Sequence, residues 1–210
     1  MKQKSFLILL ISVIIFISLL LLFEFNYVES IDIFGKNMKD IFVHPSFETI
    51  FLIITNTMSV VGIIIILSIT IYLLRKQNAK RDIMIYISSI LICLIVTNLI
   101  KIIVRRARPL DMLIDATGFS FPSSHSSISM VVYGFIIIFL KKYYQGTRKK
   151  LYVCLCVLLI LLTGFSRIYF NVHYITDVLA GFSLGLVVLS ISYLIIKKLD
   201  RKELSNRKIS

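Results

Sequence analysis

Apolar runs about as long as a bilayer crossing alternate along this chain with short polar stretches, most of them basic. A helix that spans hydrocarbon needs roughly 20 mainly apolar residues. Six segments approach that length: about 6–23, 50–74, 83–103, 126–140, 151–165 and 175–196. The pattern predicts an all-α, polytopic membrane protein with six transmembrane helices, forming a single membrane-embedded domain over 1–210. The fourth and fifth segments are short, and one end of each runs directly into polar sequence. Those ends are expected to be buried in protein or to line a wet cavity, where non-apolar backbone is tolerated. The first segment follows Lys2 and Lys4, as a secretory signal would, but the next residues read EFNYVES and offer no small-residue cleavage site. It reads as an uncleaved first helix.

Composition agrees with this reading. With 58% hydrophobic and only 17% charged residues, and a mean hydropathy of +0.90, the 210-residue chain is too apolar for a water-soluble domain. The formal net charge of +13 would suggest a nucleic-acid partner, but the positions of the basic residues exclude that. Most of them cluster at Lys2 and Lys4, in RKQNAKR from Arg75, in KKYYQGTRKK from Lys141, and in KKLDRKELSNRK from Lys197. Six helices place all four clusters on one side, together with both termini. The positive-inside rule makes that side cytoplasmic, and an orientation signal near anionic headgroups accounts for each cluster. Cys93, Cys154 and Cys156 all fall in apolar segments and read as small packing residues rather than disulfides or metal ligands.

The other side carries basic residues where the rule disfavours them. Lys36 and Lys39 share a loop with Glu24, Glu29, Asp32, Asp40 and Glu48, and a solvated mixed surface explains that group. Lys101, Arg105, Arg106, Arg108 and Arg167 want a more specific reason. They belong to KIIVRRARP (101–109) and SRIYFNVHYITD (166–177), and a third polar stretch, FPSSH (121–125), lies at the same level. Arg105 and Arg106 read as headgroup contacts. The remaining groups suit phosphoryl chemistry.

If the third helix extends outward, Lys101 and Arg108, seven residues apart, project from one face. Arg can hold two phosphate oxygens and Lys adds a point charge. Ser123 is a plausible N-cap for the fourth helix, whose free N–H groups suit an anion. His173 and Asp177 are spaced to share a helix face, and an Asp accepting from one ring nitrogen leaves the other free to attack. Each feature has a plainer reading, as interfacial histidine, local helix pair or capping serine. Costly ionisable groups gathered on one side of a membrane favour function.

The spacing resembles the type-2 phosphatidic acid phosphatase superfamily, with signatures K-x6-RP, PSGH and SR-x5-H-x3-D. Here Lys101 is followed by six residues, Arg108 and Pro109. Then come Pro122, Ser123, Ser124 and His125, and finally Ser166, Arg167, five residues, His173, three residues and Asp177. The motifs lie within 101–177; the first two spans match only as hydrophobic segments around an outer amphipathic loop. Ser124 stands where the family usually has Gly, a change that keeps the backbone N–H.

The resemblance implies a membrane lipid phosphatase with His173 as nucleophile oriented by Asp177, and His125 as general acid and then base. Lys101, Arg108, Ser123, Ser124 and Arg167 would bind the phosphate. It implies no metal and no cofactor, an active site on the extracytoplasmic side of the cell membrane, and a lipid phosphate or diphosphate as substrate. Undecaprenyl diphosphate and phosphatidylglycerol phosphate rank ahead of phosphatidic acid. A transporter whose cationic mouth merely binds anions is the alternative, and charged or broken-helix elements near the midplane or on both sides would favour it. A structural subunit would show no such convergence. The vanadate haloperoxidases of the wider superfamily are soluble, unlike a six-span chain.

Overall fold

The computed structural model describes residues 2–41 and 45–206; the side chains of Lys2, Lys39 and Asp40, and Arg207 and Lys208 of the basic tail, fall outside the described residues. The described residues form helices and no strand. In chain order these are α1 (Lys2–Glu24), α2 (Glu29–Ile41), α3 (Pro45–Asn56), α4 (Val60–Lys76), α5 (Lys80–Val104), α6 (Ser124–Tyr143), α7 (Lys149–Tyr169) and α8 (Ile175–Asn206). Helices α1, α5, α6, α7 and α8 are each long and apolar enough to cross a membrane, and α3 with α4, bent by 62° at the break between them, meet the same test as a pair, which makes six if the pair is one span.

The bend corrects the expectation of an unbroken helix over 50–74. Polar side chains at the break offer the backbone other partners. Thr57 Oγ1 donates to Ile54 O at 2.7 Å, and Ser59 Oγ accepts from Gly62 N at 3.2 Å as the N-cap of α4. The opened turn is tied into the bundle by Tyr133 of α6, whose hydroxyl lies 3.1 Å from Thr57 Oγ1. The amphipathic connection after the first span is also more ordered than a loop, because 29–41 coils into α2.

Helices α6 and α8 form the centre of the bundle, with α1, α5 and α7 packed around them. Tyr86, Phe135 and Phe139 fill one layer of the core, with ring centroids 5.1 to 5.6 Å apart. The close approach of α6 to α8 depends on two glycines one helical turn apart. A Cβ at Gly181 would stand 2.5 Å from Ser123 O, and one at Gly185 2.4 Å from Ser127 O. Small residues at this spacing let membrane helices touch backbone to backbone. Here they seat the start of α6 directly on α8.

The two ends of the bundle differ. At one end Gln3 and Phe6 of α1 share a cavity with Lys197, Lys198 and Arg201 of α8, so the start of α1 and the later turns of α8 lie together among basic residues. Buried Asp82 accepts there from Lys142 Nζ at 2.8 Å, Tyr143 Oη at 2.7 Å and Arg81. Cys93 and Cys156 are buried and Cys154 faces outward from α7, so only two of the three cysteines pack inside. The opposite end holds the motif residues. The fifth span runs past 165, so the last turn of α7 buries Ser166, Arg167 and Ile168 in protein, as its polarity requires.

Candidate active site

Helix α5 stops at Val104 because Arg105 adopts the left-handed conformation, φ 53°, and its N–H bonds back to Lys101 O. Lys101 and Arg108 therefore do not share a helix face, as an extended third helix would have required. The loop after Arg105 returns Arg108 to the same site by another path. Lys101 Nζ, in the last turn of α5, donates to Phe119 O at 2.6 Å and Ser120 O at 3.1 Å. Arg108 is pinned by three carbonyls: Gly118 O at 3.0 Å, Thr117 O at 2.9 Å and Val172 O at 2.7 Å. Burial weighs against its charge and lowers its pKa, and nearby Asp177 opposes that shift.

Ser123 caps α6 as its sequence suggests. Its Oγ accepts from Ser126 N at 3.4 Å, and its own N–H donates to Asp177 O at 2.9 Å, stitching the loop to the first turn of α8. The next two N–H groups, of Ser124 and His125, begin the helix and have no residue four back within it to bond. Ser124 is not among the positive-φ residues, so serine in place of glycine imposes no backbone strain here. His125 is partly buried and within electrostatic reach of Arg167, His173, Arg108 and Lys101, which brings the three motifs into one site.

Arg167 is buried in the last turn of α7, where its Nη1 donates to Thr55 Oγ1 at 2.7 Å. Thr55 is just ahead of the break between α3 and α4, so the bent crossing supports this arginine. The Arg167 Nε–H is buried without an acceptor among the described residues. Such a donor is costly to leave unpaired, and an anion's oxygen would satisfy it.

His173 lies ahead of α8 rather than on it, so the expected shared helix face with Asp177 is replaced by a turn. Asp177 Oδ2 accepts from Tyr174 N at 2.9 Å and from Ser120 Oγ. His173 Nδ1 stands 3.4 Å from the same oxygen, inside electrostatic range but outside hydrogen-bond geometry. Its Nε2 is 3.2 Å from Arg108 Nη1. Burial pushes the His173 pKa down to about 4; Asp177 opposes the shift, and Lys101 and Arg108 add to it. The ring is neutral at neutral pH, as a nitrogen nucleophile must be.

The sequence reading missed part of the site. Arg106 is not a headgroup contact: it is buried, and Nη1 donates to Asp177 Oδ1 and Thr176 Oγ1, both at 2.7 Å. Its Nη2 donates to Asp32 Oδ2. Asp32 is accordingly not part of a solvated surface; it is buried on α2. The signal available was that Arg106 is a cation on the disfavoured side, but the left-handed turn at Arg105, which aims it inward, leaves no mark in the hydropathy. Arg105 is exposed and its side chain donates to Ile102 O at the end of its own helix, as expected of a peripheral cation. Among the described residues, no three His, Cys, Asp or Glu gather closely enough to hold a metal ion.

Fold and site together define a polytopic helical membrane protein with a cationic histidine centre at one end of its bundle. The chain belongs to the PAP2 superfamily, whose family model matches residues 82–201. Over 111 residues it is 36% identical to phosphatidylglycerophosphatase B of Bacillus subtilis (strain 168). That match covers 51% of this chain and 53% of the relative, about half of its length. The fold is similar to the crystal structure of a transmembrane PAP2-type phosphatidylglycerolphosphate phosphatase from Bacillus subtilis. The TM-score is 0.73 and the identity 27%, over 89% of this chain and 96% of that one. LpxE of Aquifex aeolicus shares the fold, with a TM-score of 0.63 and 20% identity over 77% of this chain and 94% of its own.

Proposed function

We propose that this protein is a lipid phosphate phosphatase that works through a phosphohistidine and needs no metal. The observation that carries the reading is the pairing of His173 Nε2 with Arg108 Nη1 at 3.2 Å. A guanidinium can only donate, so Nε2 presents its lone pair and Nδ1 carries the proton on the Asp177 side. The nucleophilic nitrogen points at the same cation that would hold the phosphate.

In the first step the Nε2 lone pair forms the N–P bond as the P–O bond to the lipid breaks. His125 gives its proton to the leaving oxygen. Lys101, Arg108, Arg167, the Ser123 hydroxyl and the Ser124 N–H bind the phosphoryl oxygens and stabilise their charge in the transition state. In the second step His125 takes a proton from water, the water oxygen attacks phosphorus, the N–P bond breaks and inorganic phosphate leaves.

The substrate reading follows from depth and orientation. The basic end faces the cytoplasm by the positive-inside rule, so the site faces the extracytoplasmic side. Of the apolar residues beside the motifs, Phe121, Ile168, Tyr169 and Phe170 pack into the bundle, while Phe119, Leu110 and Leu113 are exposed at the mouth. Those three suit acyl or prenyl tails that stay in the outer leaflet while the phosphate enters. The similarity to phosphatidylglycerophosphatase B favours phosphatidylglycerol phosphate, with undecaprenyl diphosphate next and phosphatidic acid after them. A break in a membrane helix was named above as a mark of a transporter. Here it braces Arg167, whose Nη1 donates to Thr55 Oγ1 just ahead of the break.

The test is phosphate release by purified protein from these three lipids and from short-chain, water-soluble phosphate esters at matched detergent, with His173→Ala as control. Release from the lipids that the variant abolishes is expected. No release from any phosphate compound would overturn the reading.

A further inference from the structure

The motif residues account for the reacting atoms but not for what holds Asp177 in place. We propose that Asp32, on α2, is a positioning residue for the reaction, clamping Arg106 and the first turn of α8 and so fixing Asp177 and the His173 ring. The proposal rests on the phosphatase reading above. Asp32 lies outside residues 82–201, so the family match does not reach it.

Asp32 is 6% exposed, Arg106 8% and Asp177 0%, and the guanidinium bridges the two carboxylates. It is also held between aromatic faces, 3.9 Å from the Tyr174 ring centroid and 4.9 Å from that of Phe23. Asp32 Oδ1 accepts from Thr176 N at 3.2 Å and from Thr176 Oγ1 at 2.8 Å, so it serves the N-terminal turn that carries Asp177. Helix α2 approaches α8 closely here, at Gly35, where a Cβ would stand 3.0 Å from Ile175 Cβ, tighter than an ordinary contact.

Charge explains why a second carboxylate is needed. Arg106 alone would neutralise Asp177, and His173 becomes cationic when Nε2 bonds phosphorus while Nδ1 keeps its proton. With Asp32 present, the three groups carry a net charge of −1 next to that developing cation. Asp32 thus holds Arg106 as an orienting group for Asp177 without cancelling the charge that stabilises the phosphorylated ring. The effect belongs mainly in turnover, because among the described residues the side-chain bonds of Asp32 and Arg106 go to each other, Thr176 and Asp177 and not to Lys101, Arg108 or Arg167.

The full chain in mixed micelles containing phosphatidylglycerol phosphate provides the test. Asp32→Asn, nearly identical in shape, is expected to lower kcat roughly 10- to 100-fold while KM changes less than about threefold. In an Asp177→Asn background the further loss should be under about threefold, because the residue being positioned is already disabled. Asp32→Glu should recover part of the turnover. Arg106→Lys, which keeps the charge but cannot bridge both carboxylates, should show the same split between kcat and KM even if Asp32→Asn folds poorly. Wild-type kcat in Asp32→Asn, a change in KM alone, or equal losses in both backgrounds would overturn the proposal. An inert wild-type protein would take down the phosphatase reading with it, whereas an active wild type indifferent to Asp32→Asn sinks this inference alone.

Discussion

Arg108 Nη1 faces His173 Nε2 at 3.2 Å, while the exposed side chain of Arg105, three residues earlier, donates to the carbonyl of Ile102. Two arginines in one short loop thus have different fates, one at the His173 imidazole and one at the surface. Arg108→Ala is expected to cut kcat/KM by roughly 100-fold or more, the usual cost of losing a transition-state donor, and Arg105→Ala by less than about threefold. Steady-state kinetics on a lipid phosphate decides this, and equal losses at both positions would contradict the site.

The protonation of His173 has a definite sign. Burial lowers its pKa from 6.5 to about 4, so the neutral form that the proposed attack needs is present above that value and is lost as pH falls through it. A histidine NMR titration in micelles, assigned with His173→Gln, should show this ring titrating near 4. A midpoint near 6.5 would show that the ring is more hydrated than the structure allows.

Much of this site was legible because its chemistry is written in fixed spacings. Lys101, Arg108, Ser123, His125, Arg167, His173 and Asp177 all converge on one end of the bundle, and Ser123 caps α6 as its position before an apolar run suggests. What was not legible depends on backbone turns and long-range contacts. The left-handed residue at Arg105 ends α5 early and turns Arg106 inward. The break after Asn56 looks like an uninterrupted apolar run in hydropathy, because four short polar residues, Thr55, Asn56, Thr57 and Ser59, barely change the average. Asp32 and Asp177 are 145 positions apart, and nothing local to 29–41 tells an exposed aspartate from one buried by the docking of α2.

Orientation is testable without any substrate. A reporter fused after Ile196 should read cytoplasmic, and one inserted between Asp111 and Gly118 should read extracytoplasmic. These positions are at opposite ends of a bundle whose α5 alone, at 25 residues, is about 38 Å long. The reverse pattern would put the site inside the cell and remove the outer-leaflet substrate.

The buried cluster at the basic end should matter for stability and not for chemistry. Asp82 is 1% exposed, and its partners Lys142 and Arg81 are partly solvated. Asp82→Ala removes the acceptor of Tyr143 and one of the acceptors of each cation, while Asp200 still accepts from both Lys142 and Arg81, so a loss of about 2 kcal/mol is expected. Denaturation in detergent should register the loss, while kcat of the remaining folded protein stays within about twofold, since the cluster lies a helix length from the site. A large fall in kcat with unchanged stability would mean that the two ends are coupled.

The central claim is that His173 becomes covalently phosphorylated. Purified protein mixed with a lipid whose terminal phosphate is radiolabelled, quenched within one turnover, should carry label that is stable to alkali and released by acid, as a phosphoramidate is. Peptide mapping should place it on His173, and His173→Ala should carry none. Phosphate release with no labelled protein at any time point, or label retained in His173→Ala, would contradict the mechanism.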